Sequence, residues 1–386
     1  MDKIGSLFFA VVTFMSQLFG TAGSAGYVKQ TGLKEAMNAL TQKETILETV
    51  YAGDPSTDTF DPAAPFDVDD CVVLKKEKGR EFKILNFSDT HFSDYDYRAW
   101  FAFEGSATMR RLVAETQPDL ITLSGDIVCG DSTVYSIKRI TDLMESFGVP
   151  WAPVFGNHDD EANCDLNYLA DIMLRSPHCV MKKGDPRMGV GNYVILVSED
   201  PDAARIPVSE ALVMMDSHHS QPNALQRQWL SWAADGINAY TDNTAEISVM
   251  MHIPLPEYQT AFDLAWNDET GKWNEGFGAV GALNEKICCD RENDLPKDEG
   301  FFDILLDKGT VKHVLCGHDH MNDFSLVYKG IRLTYMMKLG YGSGFQFGFN
   351  GGTVLKVGET GIDRITHKTV TYGLTMPLID IDPTVG

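Results

Sequence analysis

Five short strings in the chain contain the residue types that bind metal ions. They are Asp89-Thr90-His91, Gly125-Asp126, Gly156-Asn157-His158-Asp159, Met251-His252 and Gly317-His318-Asp319-His320. Carboxylate, amide and imidazole groups of this kind suit divalent manganese, iron or zinc. Two such ions held close together can lower the pKa of a bound water. The strings therefore predict a metal site in which Asp126 could bridge two ions.

Each string stands at the end of an apolar run. The runs are Phe82–Phe87, Leu120–Leu123, Trp151–Phe155, Ile247–Met251 and Val311–Cys316. Such runs are typical of strands buried on both faces, whose carboxyl ends meet at one edge of a sheet. Residues two apart in an extended strand end point to the same side, so His318 and His320 can both reach that edge.

The rest of the pattern predicts the class of the fold, which is α/β. Helical spacing predicts helices over Thr108–Thr116, Thr133–Phe147 and Leu225–Ile237. Alternation of apolar and polar residues predicts strands that are joined by glycine-containing turns. These strands are Ile331–Lys338, Gly352–Val357, Ile362–His367 and Thr369–Tyr372. The polar insertion Glu257–Pro296 follows His252 directly and is a candidate wall of the substrate cleft.

Each predicted ligand also has a structural explanation when it is taken alone. Asp89 or Asp126 at a strand end could cap a helix, and Asn157 after a glycine could be a turn residue. His252 could be a core histidine with a satisfied hydrogen bond. The ordered set of five strings favours the metal centre over these separate explanations.

The order and spacing of the strings resemble the calcineurin-like metallophosphoesterase superfamily, whose pattern is DxH, GD, GNH[D/E], a lone His and GHxH. The resemblance covers about residues 82–372, which is most of the chain. It implies a four-layer α/β/β/α sandwich of two mixed sheets. Within the superfamily, His252–Tyr258 and Gly317–Asp323 resemble the purple-acid-phosphatase-like branch.

The resemblance also implies roles for the residues of the strings. One metal would be held by Asp89, His91, Asp126 and His320. The second would be held by Asp126, Asn157, His252 and His318. In the family the histidine after the asparagine, here His158, lies near the metals without binding them. It would stabilise the phosphoryl charge and protonate the leaving oxygen, with Asp159 orienting its imidazole.

One position departs from the purple acid phosphatases, which read GDxxY and bind ferric iron through the tyrosine. Here Gly125-Asp126-Ile127-Val128-Cys129 places a cysteine there. Without the phenolate there is no reason to expect a purple colour or an obligate ferric ion. Cys129 is either a thiolate ligand or a small buried side chain, and the second interpretation is favoured.

Composition limits the classes of partner. The chain of 386 residues is 44% hydrophobic, enough for a large core, and its formal net charge is -23. An acidic surface without a basic stripe predicts that the protein does not bind nucleic acid. Two bound cations would nevertheless make the site locally positive, so a small phosphorylated substrate is compatible with the overall charge.

The seven cysteines form no CxxC pair and leave the cellular compartment open. Cys129 and Cys316 are expected to be unbridged core residues. Cys164 and Cys179 span a plausible loop and form the one candidate disulfide. His178, His313 and His367 match no string and are expected to be structural, whereas His218 and His219 are candidates for the cleft lining.

The N-terminus predicts export. Residues 1–25 combine an apolar stretch, Ile4–Phe19, with small residues before Ala25, which is typical of a cleaved signal peptide. The alternative is a cytoplasmic protein with an N-terminal hydrophobic helix, and only this segment could contact a membrane. Residues 26–80 are expected to be an extension and linker, 81–375 the catalytic domain and 376–386 a C-terminal tail. The oligomeric state is left open.

The strings support three functional hypotheses. The first is a phosphomonoesterase that acts by attack of a metal-bound hydroxide. The second is a phosphodiesterase acting on cyclic nucleotides, nucleotides or phospholipid headgroups. The third, from another class, is a catalytically silent, metal-stabilised binding protein. The complete set of predicted ligands argues against the third, since silent relatives usually lose at least one.

Overall fold

The computed structural model describes residues 59–93, 98–130, 133–161, 164–217, 219–289, 300–341, 344–346, 348–371 and 374–383. The helices of this part are α1 to α6, over Arg98–Thr116, Thr133–Glu145, Leu166–Met173, Ala224–Thr241, Glu257–Ala265 and Phe301–Lys308. Strands β1 to β7 are Val72–Lys75, Phe82–Phe87, Leu120–Ser124, Trp151–Val154, Tyr193–Ser198, Val208–Met214 and Glu246–Met250. Strands β8 to β15 are Trp266–Asn267, Lys272–Trp273, Val311–Cys316, Ser325–Tyr328, Ile331–Tyr335, Gly351–Val357, Ile362–Thr371 and Leu374–Ile381.

The strands form two large mixed sheets and one small hairpin. The seven-stranded sheet has the order β1-β5-β6-β7-β10-β12-β11, and the six-stranded sheet has the order β15-β14-β13-β2-β3-β4. Strands β8 and β9 form the hairpin. The two sheets face each other: the Asn86 side chain on β2 donates to the sulfur of Met250 on β7 at 3.7 Å. The predicted α/β class with two mixed sheets is confirmed.

Helices cover the outer faces of both sheets. Helices α1, α2 and α3 share a hydrophobic core with the six-stranded sheet, and α4, α5 and α6 share another with the seven-stranded sheet. Strand β3 is buried at all five positions, as expected of a parallel strand covered on both faces. The layers therefore follow the order α/β/β/α, which confirms the predicted four-layer sandwich.

The strands that precede the five strings are neighbours. Strands β2, β3 and β4 pair in parallel in one sheet, and β7 and β10 pair in parallel in the other. Their carboxyl ends therefore lie at one edge of the sandwich. The predicted bounds of these five strands agree with the structure to within one residue at each end.

Other elements differ more from the sequence prediction. Helix α2 ends at Glu145 rather than Phe147, and α4 ends at Thr241 rather than Ile237. Helix α1 begins at Arg98 rather than at Thr108. The strand predicted over Ile331–Lys338 ends at Tyr335. The two strands predicted around Lys368 are one strand, β14, whose register against β15 shifts between His367 and Lys368. A bulge accommodates the irregular pattern there, so no turn is needed.

The predicted domain boundaries lie inside the folded unit. Strand β1, within the expected linker, pairs in parallel with β5. Before it, the rings of Phe60 and Phe66 contact Trp232 on α4 at centroid distances of 5.3 and 5.4 Å. Strand β15 extends past residue 375 and pairs with β14. Both flanking segments therefore add strands to the sheets, and the boundaries at 80/81 and 375 stay predictions.

The cysteines and the N-terminus complete the comparison with the sequence. All seven cysteines are described, and none forms a disulfide, so the predicted Cys164–Cys179 pair is wrong. No helix of the described ranges is long and apolar enough to span a membrane. Residues 1–58, which include the expected signal peptide, lie outside the described residues, and export stays a prediction.

An aromatic cluster anchors the insertion after β7 to the sheet. Phe324 is fully buried, and its ring lies 4.9 Å from Tyr335, 5.6 Å from Phe262 and 5.9 Å from Trp273. We expect Phe324→Ala to lower the free energy of unfolding by about 3–5 kcal/mol, because it removes a large buried ring and leaves a cavity.

Urea denaturation followed by circular dichroism measures this loss. The control is Leu264→Ala on α5, where the side chain is 54% exposed. The control should change the free energy of unfolding by no more than about 0.5 kcal/mol. A loss below about 1 kcal/mol in Phe324→Ala would contradict the proposed anchoring role.

Candidate metal centre

The loops after β2, β3, β7 and β10 bring the acidic and histidine side chains of the strings together in two groups. One group contains Asp89, His91, Asp126 and His320, and the other contains Asp126, His252 and His318. Within each group the candidate ligand atoms lie within 4.8 Å of one another. Asp126 belongs to both groups. The structure thus places these six residues in the arrangement that the sequence resemblance implies, and each group could hold a metal ion.

The closest distances within the groups join ring nitrogens and carboxylate oxygens. Nε2 of His91 lies 3.0 Å from Nε2 of His320 and 3.5 Å from Oδ2 of Asp126. Nε2 of His320 lies 3.4 Å from Oδ1 of Asp89, and Nε2 of His252 lies 3.2 Å from Oδ2 of Asp126. Donor atoms that share one ion with bonds of about 2.0–2.2 Å are separated by similar distances.

The buried atoms of the site that lack a hydrogen-bond partner include Oδ2 of Asp126, Oδ1 of Asn157 and Nε2 of His252. Buried polar atoms are normally paired, so a cluster of unpaired ones requires an explanation. All three can act as electron-pair donors, and a bound cation would satisfy them together. The residues therefore fit a divalent metal, and Asn157 lines the same cavity as Asp126 and His318.

Hydrogen bonds fix the orientation of two of the histidine rings. Nδ1 of His252 donates to the carbonyl of Ser124 at 2.9 Å, and Nδ1 of His320 donates to the carbonyl of Gly344 at 3.0 Å. The tautomers follow from these carbonyl partners. A ring that donates from Nδ1 presents the lone pair of Nε2, which is the usual arrangement behind a metal ligand.

The backbone at the predicted ligands adopts an unfavourable conformation. Asp89, His91, Asp126 and His318 have φ angles of 49°, 44°, 50° and 75°. Positive φ is uncommon for residues other than glycine, and such strain concentrates at functional sites. Four of the predicted ligands therefore occupy backbone conformations that the surrounding structure must hold in place.

The glycine before Asp126 is required by packing. A Cβ atom at Gly125 would lie 2.5 Å from the ring of His252, and its φ is 88°. Any side chain at Gly125 would therefore displace His252, a predicted ligand that follows β7 of the other sheet. Gly156 is constrained in a similar way, because its Cβ would meet the backbone and side chain of Asp126.

The charges of the two groups favour cation binding. Burial would raise the pKa of Asp89 and Asp126, but His252 and neighbouring cations outweigh it and hold both pKa values low. Burial lowers the pKa of His91, and it lowers the pKa of His318 to about 4, so both rings are neutral. Burial also opposes charge on His252, yet Asp126 raises the pKa of that ring to about 10. A metal bound there would replace the proton of His252.

His158 lies beside the groups with its side chain 32% exposed, and its Nε2 is 3.9 Å from Oδ2 of Asp126. Its Nδ1 contacts Oε1 of Glu161 at 2.5 Å, and Oε2 of Glu161 accepts from the N–H of Gly130 at 2.7 Å. Burial would lower the pKa of His158, but the bond from Glu161 and the charge of Asp126 raise it. Glu161 therefore orients the imidazole, a role that the sequence prediction missed.

The carboxylate of Asp159, predicted to orient His158, accepts hydrogen bonds from the backbone in the structure. Its two oxygens accept from the N–H groups of Val128 and Gly156 at 2.9 and 2.7 Å, and the side chain is fully buried. Burial and the nearby Asp126 raise its pKa to about 8. Asp159 thus joins the loop after β3 to the loop after β4 and does not contact the ring of His158. The carboxylate that meets the His158 ring in this structure is that of Glu161, and a catalytic role for Asp159 stays a prediction.

The fold and site can now be compared with known proteins. The model of the Calcineurin-like phosphoesterase family matches residues 82–322, more than half of the chain. The chain belongs to this family. Among its relatives, Probable inactive purple acid phosphatase 14 of Arabidopsis thaliana is 26% identical over 310 residues, which cover 69% of this chain and 73% of the relative. The resemblance to the purple-acid-phosphatase-like branch is confirmed by such relatives.

Two further proteins are similar to this chain. Phosphatase DCR2 of Saccharomyces cerevisiae is 26% identical over 317 residues, which cover 74% of this chain but 52% of the relative. A solved dimetal phosphatase from Danio rerio aligns with a TM-score of 0.49 and 14% identity, over 78% of this chain and 98% of the other.

Cys129 and Lys338 lie beside the first group of candidate ligands in this metallophosphoesterase. The thiol of Cys129 donates to the carbonyl of His91 at 3.6 Å, and neither group of candidate ligands includes it. Lys338 is buried, and its Nζ donates to the carbonyl of Asp89 at 3.2 Å. Burial lowers the pKa of Lys338 to about 8. A thiol and a cation thus lie beside the first group of candidate ligands.

A cavity of about 360 Å³ opens onto the metallophosphoesterase site. His158 lines it together with Asp126, Asn157, His318 and His320. Glu285, Lys286 and Cys288, from the insertion after β7, line the same cavity. The predicted cleft wall is therefore present. His219 is not among the lining residues, and its Nε2 contacts Asp160 at 2.9 Å; His218 lies outside the described residues.

Proposed function

We propose that this metallophosphoesterase hydrolyses small phosphate monoesters with two divalent metal ions. The observation that carries the proposal is the position of Asp126, which belongs to both groups of candidate ligands and lies beside His158 in one cavity. When bound, a pair of metals would supply a water of lowered pKa and neutralise phosphoryl oxygens. Manganese, iron and zinc all suit this set of donors.

The residues of the chain would bind the two metal ions and supply a proton. Asp89, His91 and His320 would hold one ion, and Asn157, His252 and His318 would hold the other. The backbone N–H of His158 donates to Oδ1 of Asp126 at 2.8 Å, which leaves Oδ2 directed to both groups. Because the Nδ1 side of His158 is occupied by Glu161, the ring carries its transferable proton on Nε2. That proton would pass to the leaving oxygen.

Several relatives carry names that call them probable inactive purple acid phosphatases. Two features of this chain nevertheless support an enzyme over a silent binding protein. In this chain every position of the family's five strings holds the expected residue type. A protein that used metals only for stability would not need His158, a half-buried imidazole with a carboxylate partner, at the wall of an open cavity.

The proposed activity can be tested on metal-free protein reloaded separately with manganese, iron(II) or zinc. The substrates are p-nitrophenyl phosphate and bis(p-nitrophenyl) phosphate, which represent monoesters and diesters. We expect turnover of the monoester with at least one metal and loss of that turnover after chelation. Activity on the diester alone would identify a phosphodiesterase. No turnover of either ester with any of the metals would overturn the proposal and support the binding protein.

A further inference from the structure

The loop Gly317–Asp323 contains polar residues that the proposed metal centre does not use. Asp319, Asn322 and Asp323 are all buried. Their side-chain oxygens accept backbone N–H groups from residues 281–288, which we call the wall segment. The donors are Ala282, Asn284, Glu285 and Cys288, at distances between 2.6 and 3.1 Å. The loop that supplies two predicted ligands therefore also holds one wall of the cavity.

Contacts in the opposite direction reinforce this attachment. The N–H of Met321 donates to Oε2 of Glu285 at 3.2 Å, and the side-chain amide of Asn284 donates to the carbonyl of Met321 at 3.2 Å. Gly281 has a φ of 83°, and a Cβ there would lie 2.6 Å from the carbonyl oxygen of Asp323. The backbone on both sides of Lys286 is thus fixed relative to His318 and His320.

Lys286 is the only lysine or arginine among the described residues that line the cavity of the metal centre. Its side chain is exposed, so its ammonium group can reach a bound ligand at low cost in desolvation. The neighbouring Glu285 lines the same cavity. A carboxylate in the wall repels an anionic substrate, and the adjacent ammonium offsets that repulsion.

We propose that Lys286 is a specificity residue that selects dianionic phosphate monoesters over monoanionic diesters. The inference rests on the proposed function and names its class of substrate. A monoester has three non-bridging oxygens, and two of them would face the metals. The third carries charge in a monoester but is esterified and neutral in a diester. An ammonium in the wall of the cavity that the candidate ligands also line is suited to that third oxygen.

The test compares the wild-type protein with Lys286→Gln on the two p-nitrophenyl esters at one fixed metal. We expect kcat/KM for the monoester to fall about ten- to hundredfold, and kcat/KM for the diester to change less than about threefold. The matched control is Lys272→Gln, an exposed lysine on β9 of the same insertion that does not line the cavity. The control should behave like the wild type with both esters.

The possible results separate this inference from the proposed function. Equal losses with both esters would overturn the role of Lys286 and leave a phosphoesterase. If the wild type hydrolyses neither ester, the proposed activity fails, and calorimetric titration of the metal-loaded protein with inorganic phosphate decides about Lys286. Weaker phosphate binding in Lys286→Gln than in Lys272→Gln would support its role, and equal affinities would overturn it.

A second variant tests whether the anchoring of the wall matters. Asn322→Ala removes the acceptor for the N–H groups of Asn284 and Glu285 but leaves the predicted ligands in place. We expect a raised KM for the monoester with unchanged metal content, because Lys286 loses its fixed position. An unchanged KM would overturn Asn322 as a positioning residue. Loss of metal would instead show that the substitution had disturbed the loop that holds His318 and His320. The comparison of Lys286→Gln with the wild type would then test the role of Lys286.

Discussion

Replacing Asp126 with asparagine will lower the phosphatase kcat by about a thousandfold or more and reduce the number of bound metal ions. The reason is that one oxygen of the Asp126 carboxylate lies close to ligand atoms of both groups. Oδ2 of Asp126 lies 3.2 Å from Nε2 of His252 and 3.5 Å from Nε2 of His91. Asparagine keeps the shape of the side chain but removes a fully buried negative charge that two cations would share. Each ion would then lose a ligand, and their mutual repulsion would no longer be offset.

The measurement is metal stoichiometry by plasma mass spectrometry, together with kcat on p-nitrophenyl phosphate. Asp160→Asn is the matched control, because it makes the same change in charge in a loop of the same site. Asp160 contacts His219 and belongs to neither group of candidate ligands. A variant Asp126→Asn that still binds two ions and retains kcat within about tenfold would contradict the bridging role.

The second large effect is expected for Glu161→Gln, which should lower kcat by about ten- to hundredfold for alkyl phosphates. Glu161 is a positioning residue that holds the ring of His158 and raises its pKa above the usual value. The general acid must be protonated, so activity falls as pH rises through this pKa. Glutamine lacks the charge and lowers the pKa. The basic limb of the kcat profile should therefore move to lower pH.

The pH profiles of the wild type and Glu161→Gln measure this shift, with Asp160→Asn as the control that keeps the wild-type profile. Activated substrates such as p-nitrophenyl phosphate need less help from a general acid, so they should lose less activity than alkyl phosphates. An unmoved basic limb combined with equal losses for both classes of substrate would show that Glu161 does not act through His158.

The strands and the predicted ligands could be predicted from the sequence because both depend on local patterns. An apolar run ending in a polar string indicates a buried strand and the edge to which its end points. That reasoning gave the bounds of β2 and β10 correctly and brought Asp89 and His318 to the same edge. The parallel pairing of neighbouring strands then places their carboxyl ends at that edge.

The partners of these residues could not be predicted in the same way. Asp159 and Glu161 both follow His158 within three residues, and which carboxylate meets the ring depends on the turn between them. The structure closes that turn with the N–H of Asp159 on the carbonyl of Gly156, which directs Asp159 to the backbone. Lys338 comes from a segment 249 residues from Asp89, and no spacing in the sequence indicates that contact.

The loop Gly317–Asp323 joins two binding events, because it supplies two predicted ligands and also holds the wall segment. Free energies of binding at joined sites are reciprocal: whatever factor the metal adds to phosphate affinity, phosphate must add to metal affinity. Ions would therefore be retained most firmly while substrate is abundant and released more readily when it is scarce. Through this loop, the supply of phosphate esters would set how much of the protein is loaded and ready to act.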